Sequence, residues 1–92
     1  MRKISDILKE TRVEKNLQLD DVQKGTNIKK KFIVAIENGD FRDLPSESYA
    51  MGFVKSYASY LNINPQKAVM LFKREYAGDK QIKESIIEPQ KA

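Results

Sequence analysis

The sequence predicts an all-α domain of five helices, and three observations lead to this fold class. No stretch alternates apolar and polar residues at period two, as a half-buried strand would. Apolar residues instead recur at helical spacing in segments that asparagine, glycine or proline separates. The 92 residues, 40% hydrophobic and 33% charged, are sufficient for one compact domain.

The first two helices are short, and each is expected to end where the backbone can turn left-handed. The first is predicted over about 5–15 and ends at Asn16. The second is predicted over about 19–24, and Gly25 is expected to close it. The residues expected to face inward are aliphatic: Ile4, Ile7, Leu8, Leu19 and Val22.

The third helix is predicted over about 29–37, with Gly39 in the turn that stops it. The tight turn "KGTNI" joins it to the second helix, which is the helix-turn-helix arrangement. The helical wheel places Phe32, Ile33 and Ile36 inside and Lys30, Lys31, Val34 and Glu37 outside. The following loop is expected to bury Phe41 and Leu44 under the domain.

Nucleic acid is a possible partner of the third helix but is not the one that the sequence favours. Lys29, Lys30 and Lys31 could contact phosphates, or they could form an ordinary solvated basic face. No Arg, Asn or Gln stands where bidentate base readout would need it, and Glu37 is expected to face the duplex at an electrostatic cost. The net charge of +4 adds only slight support.

The fourth helix, which Ser46 is expected to cap, carries an apolar arc covering about half its circumference. One buried contact requires a stripe of only about 100°. The core side of the arc is formed by small and aliphatic residues: Ala50, Val54, Ala58 and Leu61. Its edge is aromatic: Tyr49, Phe53 and Tyr60.

Two interpretations of the aromatic edge remain open from the pattern. Neighbouring helices could cover it as part of the core. Alternatively, it lies exposed beside Gly52 and Ser56, small residues that let a partner approach closely, with Lys55 on the rim. The second interpretation predicts a protein-binding surface on the fourth helix.

The fifth helix is predicted to begin with Asn64 as N-cap and Pro65 at its first position, and to end at Gly78 after Tyr76. The sequence therefore predicts a domain over 1–78 and a mobile, charged tail over 79–92. The chain contains neither cysteine nor histidine, which argues against metal sites, cofactors and typical enzymatic chemistry and favours the cytoplasm.

One long segment resembles a known family, the cytoplasmic domains of the bacterial cell-shape protein RodZ. The resemblance covers about 4–72 and is most specific in "AIENGDF", in Leu44–Pro45 and in "YAMGFVKSYASYL". It implies a five-helix domain of the Cro/repressor type, followed in the full-length protein by one transmembrane helix. It also implies binding to the actin-like filament protein MreB through an aromatic pair on the fourth helix, which matches Tyr49 and Phe53.

The sequence departs from the family pattern at two positions. Met51 stands where the family usually has arginine, so an ionic contact from that position is not expected. Gln18 stands where a serine usually caps the second helix, and glutamine is a poorer N-cap. Neither difference affects the aromatic pair.

Overall fold

The computed structural model describes residues 2–87, with side chains as far as residue 78, and contains α-helices and one 3-10 turn. In order, the elements are α1 (Ile4–Glu14), α2 (Leu19–Thr26), α3 (Lys30–Asn38), the 3-10 turn (Phe41–Asp43), α4 (Glu47–Tyr60) and α5 (Pro65–Ile87). The residues that the structure describes include no strand. The predicted all-α, five-helix fold is therefore confirmed.

A single core holds the helices together, and residues from every helix enter it. Its fully buried side chains include Ile4, Leu8, Val22, Ile33, Ile36, Val54, Tyr57 and Phe72. The 3-10 turn closes one end of the bundle, since Phe41 lies edge-on to Phe72 with ring centroids 5.0 Å apart. The predicted burial of Phe41 and Leu44 is confirmed. The predicted cap of α4 is also confirmed, because Ser46 Oγ accepts the N–H of Tyr49.

Left-handed residues end the short helices, but not all at the predicted positions. Asn16 (φ 58°) follows α1 and Gly39 (φ 75°) follows α3, as predicted. The prediction that Gly25 closes the second helix is wrong, because α2 continues to Thr26 and Asn27 (φ 62°) ends it. A Cβ on Gly25 would overlap the ring of Tyr60, so this glycine allows α2 to pack closely on α4.

The last helix is longer than the sequence indicated. The predicted end at Gly78 is wrong, because α5 continues through this residue to Ile87. A glycine inside a helix costs only about 1 kcal/mol relative to alanine and does not terminate it. Part of the predicted tail over 79–92 is thus helical, and residues 88–92 lie outside the described range. The division into a domain over 1–78 and a mobile tail stays a prediction.

A carboxylate on α5 joins the two ends of the domain. Glu75 Oε1 accepts the backbone N–H of Ser5 at 3.2 Å, and its Oε2 accepts the Ser5 hydroxyl at 2.6 Å. The residue that precedes α1, Lys3, provides no side-chain cap. Glu75 therefore satisfies the first turn of α1 from a position 70 residues away in the chain.

Candidate functional site

A groove runs between α4 and the turn that joins α2 to α3, and we call it the α4 groove. Its volume is about 400 Å³, and its lining residues are Thr26, Asn27, Ile28, Ser48, Tyr49, Gly52, Phe53 and Ser56. Four residues that the sequence assigned to partner binding thus line one groove: Tyr49, Gly52, Phe53 and Ser56. None of the lining side chains is charged.

The other two predicted binding residues line a second groove between α2 and α4, which we call the α2–α4 groove. Lys55 and Tyr60 lie there with Gly25, and the volume is about 510 Å³. Thr26 and Ser56 line both grooves, so the two are neighbours along the same side of α4. The structure therefore brings all six predicted residues to one face of the domain.

The aromatic edge of α4 is partly exposed and rests on α3. Tyr49 is 58% exposed, while Phe53 is partly buried against the core. The two rings lie 5.7 Å apart, and Phe53 stacks on Phe32 of α3 at 5.6 Å with an interplanar angle of 27°. Nζ of Lys31 lies 5.1 Å from the centroid of the Phe32 ring. The three rings form a continuous aromatic row that ends at an exposed tyrosine.

The middle of the α4 groove is open because of Gly52. No atom lies within 4 Å of the position that a Cβ on this residue would occupy. Neither a left-handed backbone nor packing against the described residues therefore requires a glycine at this position in α4.

The lysines proposed for nucleic-acid binding are exposed at the start of α3, but they do not form a uniform cationic patch. Nζ of Lys30 pairs with Asp20 Oδ1 at 2.8 Å, and the hydrogen bond from Lys30 lowers the pKa of this carboxyl. Lys31 lies beside the Phe32 ring. Lys29 precedes the helix and is exposed. Each lysine thus has a different local environment, and Asp20 neutralises part of their charge.

The predicted outward position of Glu37 is wrong. Its side chain is 5% exposed, and its Oε2 accepts a hydrogen bond from Nε of Arg12 at 2.7 Å. A second guanidinium nitrogen donates to Glu37 Oε1 at 3.1 Å, and the hydroxyl of Tyr57 also donates to this carboxylate. Arg12 further donates to the carbonyl of Leu17 at 2.9 Å. The acid that was expected to oppose a DNA duplex instead forms a buried ion pair.

This buried network changes the ionisation of its members. Burial, followed by the hydrogen bond to Glu37, raises the pKa of Tyr57 above the ordinary value of 10.0. The hydrogen bond to the same carboxylate raises the pKa of Arg12. Both shifts favour the protonated phenol and guanidinium, which are the forms that donate the hydrogen bonds between α1, α3 and α4.

Comparison with known proteins identifies the family of this chain. A model of the helix-turn-helix domain family matches residues 7–68 of the chain. The chain belongs to this helix-turn-helix domain family. The matched range includes the whole of α2, α3 and α4.

Relatives of this helix-turn-helix domain are a cytoskeleton protein and membrane proteins. The cytoskeleton protein RodZ of Streptococcus pneumoniae is 38% identical over 72% of this chain, and the match spans 25% of the relative. The uncharacterised membrane protein YmfM of Bacillus subtilis is 33% identical over 52% of this chain, and the match spans 17% of the relative. The chain thus corresponds to about a quarter or less of these relatives.

A solved structure has the same helix-turn-helix fold. YmfM of Staphylococcus aureus, described as a candidate DNA-binding membrane protein, superposes with a TM-score of 0.76 at 32% sequence identity. The match covers 80% of this chain and 90% of the other. Together with the RodZ relative, it identifies a RodZ-like helix-turn-helix domain.

The part of the helix-turn-helix domain that the structure describes contains neither a metal-binding cluster nor a helix that could span a membrane. Its acidic residues form no cluster that could hold a metal ion. None of its helices is both long and apolar enough to cross a bilayer.

Sequence reasoning missed one wall of the α4 groove. Thr26, Asn27 and Ile28 were assigned only to the turn between two helices. Periodicity describes one helix at a time, so it cannot show that this turn lies opposite α4. Thr26 and Asn27 lie between two predicted helices and indicated a turn there. They gave no information on which helix this turn would contact.

Proposed function

We propose that this chain is a cytoskeletal adaptor domain that binds the actin-like filament protein MreB through the α4 groove. In the full-length protein it would lie on the cytoplasmic face of the membrane and place the filament there. The observation that carries the proposal is the exposure of Tyr49, at 58%, directly beside the partly buried Phe53. No enzymatic step is part of this function.

The geometry of the groove supports a protein partner. Large aromatic side chains near the centre of an interface contribute most of its binding energy. Phe53 is already fixed by Phe32 and the core, so little side-chain entropy is lost when a partner covers it. Gly52 and Ser56 allow a partner backbone to approach between the rings and the turn, and Lys55 lies on the rim.

The relatives support the same kind of function. RodZ is named a cytoskeleton protein, and both YmfM relatives are named membrane proteins. The family model matches residues 7–68, and this range includes every residue that lines the α4 groove. These names agree with the proposed role, in which a small filament-binding domain forms part of a longer membrane protein.

Co-sedimentation with polymerised MreB of the same organism tests the proposal. We expect Tyr49→Ala and Phe53→Ala each to weaken binding by about 2 kcal/mol, which is about 30-fold in Kd. Met70→Ala is the matched control, since Met70 is 57% exposed but lies on α5 and does not line either groove. It should bind as the unchanged chain does.

Folding must be checked separately because Phe53 packs against the core. Thermal unfolding followed by circular dichroism shows whether each variant keeps its helices. If Tyr49→Ala and Phe53→Ala are folded and bind MreB with unchanged affinity, the α4 groove is not the binding site. If only Met70→Ala weakens binding, the site lies on α5.

Binding of duplex DNA is a second candidate function. The observation in its favour is the 32% identity to YmfM of S. aureus, which is described as a candidate DNA-binding protein. Lys29, Lys30 and Lys31 at the start of α3 would contact phosphates. Against it, Lys30 is paired with Asp20, and α3 presents no arginine for base readout.

A further inference from the structure

The α2–α3 turn forms the wall of the α4 groove opposite the aromatic edge. Thr26, Asn27 and Ile28 line this wall, and Tyr49 and Phe53 line the other. Ile28 is only 3% exposed, so it anchors the turn in the core. A partner bound in the groove against the two rings would therefore also lie beside the turn.

Hydrogen bonds hold this turn in one conformation. The Thr26 hydroxyl donates to the carbonyl of Val22 at 2.7 Å and accepts the N–H of Ile28 at 3.1 Å. The N–H of Asn27 donates to the carbonyl of Gln23 at 2.8 Å. The turn is thus preorganised, and a contact made from it costs little ordering of the backbone.

The side-chain amide of Asn27, unlike the hydroxyl of Thr26, is free to hydrogen-bond a partner. The residue is exposed, and its amide makes no hydrogen bond to any residue that the structure describes. The Thr26 hydroxyl, in contrast, is already both donor and acceptor. An asparagine amide offers two donor hydrogens and one acceptor oxygen without carrying charge.

We propose that Asn27 is a specificity-determining residue of the α4 groove and hydrogen-bonds a neutral polar group of the partner. The inference rests on the proposed function, because it concerns the same groove. The partner group is neutral because none of the residues that line this groove is charged, so an ionic group would lose water without gaining a counter-charge. The rings supply affinity, and the amide selects the register of the bound segment.

The left-handed backbone of this turn can be kept without the asparagine amide. Three asparagines adopt the left-handed conformation at helix ends: Asn16 (φ 58°), Asn27 (φ 62°) and Asn62 (φ 64°). Glycine adopts this conformation without strain. Replacement by glycine therefore removes the amide and keeps the turn, and Asn16 and Asn62 provide matched controls because neither lines the groove.

The experiment compares Asn27→Gly, Asn16→Gly, Asn62→Gly and Phe53→Ala in the 92-residue chain, using co-sedimentation with polymerised MreB. We expect Asn27→Gly to weaken binding about fivefold, the usual effect of one lost neutral hydrogen bond. The two control variants should bind as the unchanged chain does. Thermal unfolding should shift by a similar small amount in all three glycine variants, because each changes the same kind of helix end.

The outcomes separate this inference from the proposed function. If Phe53→Ala weakens binding while Asn27→Gly binds like its two controls, the role of Asn27 is overturned and the groove remains the site. If all three glycine variants lose affinity equally, the effect is general and the inference also fails. If folded Phe53→Ala binds normally, the proposed function itself fails.

Discussion

At the scale of single residues, three glycines differ in whether the fold requires the absence of a side chain. Gly25 makes room for the Tyr60 ring, and Gly39 has the positive φ that ends α3. Gly52 has neither reason, since its missing Cβ would meet no atom within 4 Å. A glycine in the middle of a helix reduces stability by about 1 kcal/mol relative to alanine. Close approach of a bound partner to α4, as proposed above, would give this glycine a role.

We predict that Gly52→Ala has opposite effects on the stability of the domain and on its binding to MreB. Gly52→Ala should stabilise the domain by about 0.5–1 kcal/mol, because alanine favours the helix and the added methyl group meets no neighbour. The same methyl group would occupy the α4 groove and should weaken MreB binding severalfold. Urea unfolding measures the first effect and co-sedimentation the second.

A second glycine provides the control for this prediction. Gly78 lies inside α5 and outside the α4 groove, and a methyl group added to it would likewise meet no described atom within 4 Å beyond the backbone of its own helix. Gly78→Ala should therefore stabilise the helix and leave MreB binding unchanged. Equal binding of both alanine variants would show that the partner does not approach Gly52 closely.

Residues also show where sequence reasoning is limited. Ala50, Val54, Ala58 and Leu61 were placed in the core by the helical wheel, and each is buried. Glu37 was placed outside by the same helical wheel, which set Phe32, Ile33 and Ile36 on the inner side of α3. Its burial depends on Arg12, which lies 25 residues earlier in the sequence on another helix. A pattern within one helix cannot reveal such a pair.

At the scale of elements, the position of α5 depends on a contact with the start of α1. Ser5 is 3% exposed, and both its N–H and its hydroxyl donate to Glu75. Loss of the carboxylate would leave these buried donors without a partner, which costs about 1–3 kcal/mol. The contact therefore helps to hold α5 against the start of α1.

We predict that Glu75→Ala lowers the free energy of unfolding by about 2 kcal/mol and exposes the first turn of α1. Hydrogen exchange should show faster exchange at the Ser5 amide, whereas the amides of α3 should change only as global stability does. Lys73→Ala is a suitable control, because Lys73 is exposed on the same helix. Unchanged protection of Ser5 would show that this hydrogen bond does not stabilise α1.

Element boundaries were predicted well at Ser46 and at Gly39 but poorly at the other two glycines that were expected to end helices. Ser46 caps α4 through a hydrogen bond that its residue type and position indicated. Gly25 and Gly78 both lie inside helices, although each was expected to end one. A glycine permits a helix to end, but tertiary packing decides whether it does so.

At the scale of the whole molecule, the two candidate surfaces are adjacent. Lys31 lies beside Phe32, and Phe32 stacks on Phe53 in the α4 groove. The sequence indicated both surfaces separately, the lysines from their cluster and the rings from the width of the apolar arc. It could not show that one aromatic row connects them, because that connection exists only after α3 packs against α4.

Salt dependence distinguishes the two surfaces in solution. Contacts from three lysines to phosphates release counterions, so duplex affinity should fall about 40-fold between about 50 and about 200 mM salt. The residues that line the α4 groove are uncharged, so MreB affinity should change less than about twofold over this range. Fluorescence anisotropy with a short duplex and co-sedimentation with MreB measure the two responses. Sedimentation of MreB alone at each salt concentration controls for changes in the filament. A steep loss of MreB binding with salt would instead show that charged contacts dominate, either from Lys55 on the rim or from Lys29, Lys30 and Lys31.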